Sequence, residues 1–441
     1  MNDSHNNANS TPSTSQPTPH RTLDGLSLSR RSVLGGAAAF QIIRPELVRG
    51  QAPARLKAGL IGVGGRGRQA IQDLLTGDPN VEVVALADAF EDNLERNLRW
   101  LKEDRVNAAI ANRVNVKPDM RFTGFEAYKK VIASDVDIIM LATPPGWRPI
   151  HFEAAVEAKK HIFCEKPFGT DPVGVQRFMR AAKKSEELKL TVVSGAQRRF
   201  NRSYQETVKK IKDGVIGDVL ATYAYWVGTP VIQQAAGRKP NWGDTEWQHR
   251  NWYSNLWLCG DQVVEQHLHN IDVICWVMGT HPISASAYGG VSWRPQDDVH
   301  GNIYDHLATD FVFANGVRMT SYCRQYPRGL YQNISELVIG TKGRSNCRDL
   351  GAQPDIKDYV AEHVALVNSV RGTGPYINHA TSVAETTMTC IMAREAAYSG
   401  QELTWDMMMN SKLDLSPKEV TGYDSPMSRQ PFPKPGSYKF V

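Results

Sequence analysis

Three groups of residues in this 441-residue chain have types and spacings suited to chemistry. The first is Gly62-Val63-Gly64-Gly65-Arg66-Gly67, placed directly after the apolar run 56–61 and before the helically spaced stretch 69–75. In that setting Gly62 permits a tight turn, Gly64 lets the backbone approach a pyrophosphate, and Gly67 lets helix and strand pack closely. A helix starting there offers free N–H groups and a positive dipole end to phosphates, which brings Gly65 and Arg66 into the candidate set. Asp88 ends the next apolar run, 21 residues beyond Gly67. An acid at that point hydrogen-bonds the adenosine ribose and repels a 2′-phosphate, so NAD is favoured over NADP. Capping the 91–102 helix is the plainer role for Asp88, and the two are compatible.

The second group lies in 261–278, read as one helix. Val264, Leu268, Ile271, Cys275 and Met278 form a core stripe, and Glu265, His269, Asp272 and Trp276 repeat that spacing one residue later. A neutral imidazole at His269, oriented by a carboxylate, suits proton acceptance; a satisfied helix histidine is the alternative. His267 does not converge with His269 at i, i+2, so no metal site is expected. The third group sits at two strand ends: Thr143-Pro144 with His151 beyond, and Glu165-Lys166-Pro167. Trp242, Trp247, Trp252 and Trp257, interleaved with polar residues, suit the apolar faces and hydroxyls of a sugar, or equally a packed loop. Tyr304-Asp305-His306 is a further polar cluster that could line a cleft or serve structure alone.

These groups need strands and helices to hold them. Apolar runs at 56–61, 81–87, 136–142, 161–164 and 190–194 read as strands, separated by helical spacing over 69–75, 91–102, 125–133, 150–159 and 173–187. Such alternation predicts a parallel sheet covered on both faces, with ligands at its strand ends. After a 204–213 helix the runs at 219–227, 283–288, 308–313, 317–323 and 336–339 lack that alternation. An open, largely antiparallel sheet is expected there, with a packed helix over 379–399. The fold class is therefore α/β: an N-terminal Rossmann dinucleotide-binding domain (55–200) followed by an α+β substrate domain (201–416).

Taken together, the glycine turn, Thr143-Pro144 with His151, the run Ala158-Lys159-Lys160-His161-Ile162-Phe163-Cys164-Glu165-Lys166-Pro167 and the 265–272 segment resemble the Gfo/Idh/MocA family. That family contains glucose–fructose oxidoreductase and inositol dehydrogenase, and the resemblance covers nearly all the chain after residue 55. It implies that Lys166 lies beside the nicotinamide and the substrate hydroxyl, and that Glu165 holds the nicotinamide ribose. Thr143, Pro144 and His151 join the cofactor-binding set, and Arg198, Trp252 and Asp272 are candidate substrate contacts. Family members place Asp and His four apart on the later helix, with a second Asp three further on. This chain matches at His269 and Asp272 but carries Glu265 in place of the first Asp. The resemblance also makes the second sheet a frequent oligomer interface, so a homo-oligomer is expected.

Composition bounds the partners. With 51 Lys+Arg against 46 Asp+Glu, a net charge of +5 and 41% hydrophobic residues, the chain is neither disordered nor strongly basic. A nucleic-acid partner is not expected, and no apolar run approaches the ~18–20 residues of a membrane span. Residues 1–54 read as a leader: a Ser/Thr/Asn/Pro-rich start, Arg30-Arg31, a short Gly/Ala-rich apolar stretch, and a candidate cleavage site near Ala52 and Ala54. This pattern resembles a twin-arginine signal, implying a periplasmic or exported protein. The six cysteines show no paired spacing and read as buried thiols. Residues 417–441 read as an extended arm. The functional expectation is an exported NAD-dependent oxidoreductase acting on a sugar, sugar derivative or cyclitol, its bound cofactor recycled in place. The alternative is an NAD-dependent, redox-neutral cleavage of glycosides by oxidation, elimination and reduction.

Overall fold

The computed structural model describes residues 54–230, 237–418, 420 and 422–441. The leader, with Arg30 and Arg31, lies outside the described residues.

Short aliphatic runs that must be buried on both faces become the first sheet. Strands β1 (Leu56–Ile61), β2 (Val81–Asp88), β3 (Arg121–Thr123), β4 (Ile138–Leu141), β5 (His161–Cys164) and β6 (Val192–Ser194) run in the order β3-β2-β1-β4-β5-β6. Every pairing is parallel. In β4, Ile138 and Met140 enter one apolar cluster and Ile139 and Leu141 the other, which is why its sequence shows no alternation. Helices Gly65–Gly77 and Glu91–Glu103 cover one face; Ala127–Ala133, Arg148–Glu157 and Pro172–Glu187 cover the other. Strand order reverses between β1 and β4, and a crevice opens at the carboxyl ends there. Hydrogen bonds from Gly62 to Ala87 (2.8 Å), Ala142 to Ile61 (2.9 Å) and Glu165 to Leu141 (2.9 Å) carry the ladder past the strand ends. The residues that follow β1, β4 and β5 are thus set side by side.

The second sheet comprises β7 (Val219–Gly228), β8 (Ser284–Gly290), β9 (His306–Val312), β10 (Arg318–Gln325), β11 (Asn333–Gly340), β12 (Arg344–Ser345) and β13 (Leu403–Thr404). Its order is β12-β11-β7-β10-β9-β8-β13. All pairs are antiparallel except β7 with β10, so the sheet is mixed and largely antiparallel. Along β10, Met319, Ser321, Cys323 and Gln325 are buried while the residues between them are not. Helices Leu268–Met278 and Ala380–Ser399 pack on the inner side, and all six cysteines are buried free thiols.

Two departures from the periodicity matter. The 261–278 stretch is not one helix but two, Gln262–Glu265 and Leu268–Met278. The His269 N–H bonds Gln266 (3.3 Å) rather than Glu265, because the Glu265 carbonyl is taken by the Lys166 ammonium. The second departure is the helix Asp358–Arg371, which the sequence patterns do not flag. It follows β12 of the second sheet and precedes β13, yet Leu366, Val367 and Val370 join the first sheet's apolar cluster. The chain then bridges β6 through Val192 N–H to Ile377 (3.0 Å) and His379 N–H to Val192 (2.9 Å).

Residues 422–441 contain no helix or strand, only turns at 423–424 and 435–437. They are held by Tyr304 bonding the Pro433 carbonyl (3.0 Å) and Tyr438 bonding Glu395 (2.6 Å). No helix among the described residues is long and apolar enough to cross a membrane.

Leu366 is fully buried between the returning helix and the first sheet. Leu366→Ala is expected to remove about 2–5 kcal/mol of unfolding free energy, read as a lower urea midpoint with an unchanged m-value.

Candidate active site

A cavity of about 760 Å³ lies where the strand ends of the first sheet face the broken helix. At one end is the glycine turn. Gly62 has φ +94°, and a Cβ there would sit 2.6 Å from the Thr143 nitrogen; a Cβ on Gly67 would overlap the Gly62 carbonyl. Gly64 and Gly65 face open space, and the helix they begin has neither a side-chain cap nor an acid in its first turn. Its N–H groups are free for an anion. A pyrophosphate therefore fits this cradle. Asp88 lines the cavity beside it. Its Oδ2 accepts from the Val63 N–H (2.7 Å) and Asn93 (3.0 Å), and its Oδ1 from the Phe90 N–H (2.9 Å). The N-cap of the following helix is Phe90, so Asp88 ties turn to strand rather than capping that helix. Burial pushes its carboxyl up, against those three hydrogen bonds.

At the other end Lys166, only 7% exposed, donates to the Glu265 carbonyl and to Glu265 Oε1 (3.1 Å). Gln266 holds the other Glu265 oxygen (2.5 Å). Burial raises the Glu265 carboxyl above its ordinary range, and Lys166 works in the opposite direction. His269 also lines the cavity. Burial, with Lys166 adding to it, holds its imidazole well below the usual value; it is neutral, and its Nδ1 is buried without a partner among the described residues. Between the two ends lie Thr143, Pro144 and His151. His151 Nδ1 meets Thr143 Oγ1 at 3.2 Å, and burial, then Arg148, lowers its pKa to about 3.

Glu165 and Lys166 take different partners. Glu165 pairs with Arg66 of the glycine turn, in space that a Cβ on Gly195 would fill. Arg66 also reaches Glu362 (3.2 Å) and Asp73 (3.4 Å), and its guanidinium lies 4.4 Å from the Tyr359 ring centre. Glu362 and Tyr359 come from the returning helix. No sequence pattern brings them here, because the contact spans 296 positions.

Two candidate substrate residues take partners elsewhere. Arg198 pairs with Glu336 and Asp272 with Arg199 (2.7 Å) and Thr386 (3.0 Å); neither lines the cavity. Asp272 lies on the same helix as His269, but faces the 197–200 turn and the Ala380–Ser399 helix instead. Trp242 and Trp252 do line the cavity, whereas Trp247 and Trp257 are buried packing residues. Tyr304-Asp305-His306 does not reach it: Tyr304 is buried, and Asp305 accepts the N–H groups of Ser292, Trp293 and Arg294. His249 and Arg250, polar residues interleaved with the tryptophans, line it too, as do Trp147, Arg148 and Gln266, which spacing alone does not reveal.

Residues 56–193 match the family described as "Oxidoreductase family, NAD-binding Rossmann fold", and residues 204–345 match the "GFO/IDH/MocA C-terminal domain". The chain is 22% identical to the uncharacterised oxidoreductase YrbE of Bacillus subtilis, over 69% of this chain and 78% of that protein. It is 27% identical to inositol 2-dehydrogenase 3 of Saccharopolyspora erythraea, over 52% of this chain and 56% of that protein. It thus spans about half the length of that relative. Among solved structures, scyllo-inositol dehydrogenase of Lactobacillus casei with bound NAD(H) and scyllo-inositol shares the fold. The TM-score is 0.60, at 18% identity over 79% of this chain and 98% of that one.

Glu362 Oε2 has no partner among the described residues, and burial first, then Glu165, pushes its carboxyl well above the usual 4.5. A raised folded-state pKa gives stability that is full below the unfolded value and is lost as pH rises through the folded one. Glu362→Gln should therefore raise the melting temperature relative to wild type at pH 8, with the gain shrinking towards pH 4. Melting curves across that range check this.

Proposed function

Because the chain belongs to the Gfo/Idh/MocA family of NAD-binding oxidoreductases, we propose that it oxidises a secondary alcohol of a sugar, sugar derivative or cyclitol, with NAD as cofactor. The observation that carries this reading is one cavity holding both the open glycine cradle and the Lys166–Glu265–His269 group. Gly62, Gly64, Gly65 and Arg66 would hold the pyrophosphate, Asp88 the adenosine ribose, and Thr143, Pro144, His151 and Glu165 the nicotinamide half. Asp88 also disfavours a 2′-phosphate, which is the argument for NAD over NADP. When bound, the nicotinamide supplies the hydride acceptor.

The chain's residues handle the proton. Two N–H groups of Lys166 are engaged by Glu265, which aims the third for a substrate hydroxyl. His269, neutral and short of a partner, accepts the hydroxyl proton as the carbon gives up its hydride. Trp252 at the rim offers an aromatic face to the C–H side of a ring. Arg30-Arg31 and the stretch after them favour export with the cofactor already bound, which requires regeneration in place by a second substrate. Stacked Tyr223, Tyr225 and Tyr322 on the second sheet's uncovered face favour a homo-oligomer through that sheet.

One observation favours a second reading, redox-neutral cleavage of a glycoside. Elimination needs a base for the carbon-bound proton besides the group that takes the hydroxyl proton. The raised Glu265 carboxyl beside Lys166 supplies a third proton-handling group.

Lys166→Met should lower turnover by about 10²–10⁴-fold while extracted NAD per chain stays constant. Full activity in that variant would sink the assignment. Incubation with a simple glycoside separates the two readings: cleavage without net NADH supports elimination, and a stable ketone with a second acceptor supports oxidoreduction. Burial of His269 further predicts no inflection near pH 6.5 in kcat/KM from that residue. Tyr225→Asp should shift the mass measured by light scattering towards a monomer.

A further inference from the structure

The adenosine end of the cleft carries a second wall that neither the fold nor the proposed reaction requires. One side of this end is Asp88, Ala89 and Phe90, where β2 leaves the first sheet. The other side comes from far along the chain, from Trp242 and from Arg250 on the helix Asp244–Arg250. Arg250 bridges the cleft: it makes a two-pronged pair with Asp92 (2.9 and 3.2 Å) and bonds Glu246 (2.7 Å). Its guanidinium lies 4.0 Å from the Phe90 ring centre and 4.9 Å from that of Trp242.

The C-terminal arm reinforces this wall. The Tyr423 hydroxyl donates to the Ala89 carbonyl, and its ring packs 5.6 Å from Phe90 and 5.3 Å from Phe125. The arm is bound to the same helix by Glu246 N–H to the Tyr423 carbonyl (3.1 Å). Thr245 to Ser425 (2.9 Å) and Gln248 to Met427 (2.8 Å) extend that attachment. A Cβ on Gly243 would come 2.5 Å from the Tyr423 carbonyl oxygen, so the glycine permits this approach. The arm lies outside both matched family segments, 56–193 and 204–345.

Resting on the NAD reading above, we propose that the Asp244–Arg250 helix and residues 423–427 form a clasp over the adenosine half of the cofactor. Arg250 and Tyr423 are positioning residues: through Asp92 and Ala89 they hold the two walls together. The dinucleotide leaves only when both contacts open. Such retention suits an enzyme that recycles its cofactor without exchanging it.

The full chain is loaded with NADH and chased with excess NAD, and the loss of bound-NADH fluorescence gives the dissociation rate. Arg250→Ala and Tyr423→Phe should each accelerate release roughly three- to tenfold, the size of one exposed ion pair or cation–π contact. Arg250→Asp should accelerate it too, and adding Asp92→Arg should bring the rate back towards wild type. In the same proteins ADP-ribose should bind more weakly while nicotinamide mononucleotide binds as before. Equal weakening of both, or wild-type release from both single variants, overturns the clasp alone. Wild-type protein that binds no NADH overturns the oxidoreductase reading and the clasp with it.

Discussion

The Lys166 ammonium takes a backbone carbonyl that a continuous helix would spend on itself, and the arrangement of the site depends on that exchange. Lys166 sits at the end of β5 in the first sheet, and the Glu265 carbonyl belongs to a short helix packed with the second. An unpaired buried ammonium and an orphaned carbonyl are each costly, so each satisfies the other. The helix breaks at this point, and the break turns Glu265, Gln266 and His269 together into the cavity. Two sheets with no shared strand thereby present their functional groups to one space.

Burial then sets the charges. His151 and His269 are held neutral because desolvation penalises their cationic forms and Arg148 and Lys166 lie near them. Around Arg66 the balance reverses: three acids converge on one guanidinium, and Glu362, the most enclosed, takes the burden as a raised carboxyl. The result is a cleft with acids gathered behind the glycine turn and neutral imidazoles along its floor. The helix that begins at Gly65 carries no acid of its own in its first turn.

Much of this was legible from local pattern. The glycine turn, the strand–helix alternation, Asp88 and the Glu165-Lys166 pair at a strand end are short-range features, fixed by period and steric need. What escaped was what depends on distant partners. The break after Glu265 answers to a lysine 99 positions earlier, so helical periodicity carried on through it, while Asp272 answers to Arg199 and Thr386. Arg198, a candidate substrate contact on the family resemblance, is paired with Glu336 on the second sheet. The tryptophan cluster divided, because two rings fill the core beneath the two that reach the cavity. The helix Asp358–Arg371 was invisible as a contributor, since its local pattern does not mark it and its partners lie on the distant first sheet.

That helix has a consequence for how the chain is made. A ribosome releases the six strands of the first sheet long before residue 358, and at that moment one face of the sheet lacks Leu366, Val367 and Val370. Arg66 likewise waits for Glu362, and β6 for the segment at 377–379. Vectorial, domain-by-domain maturation, common in larger proteins, is therefore closed to this one. The nucleotide cradle reaches its final form only after strands β7 to β12 of the second sheet have been synthesised, and a nascent chain cannot hold a cofactor in a finished cradle ahead of them.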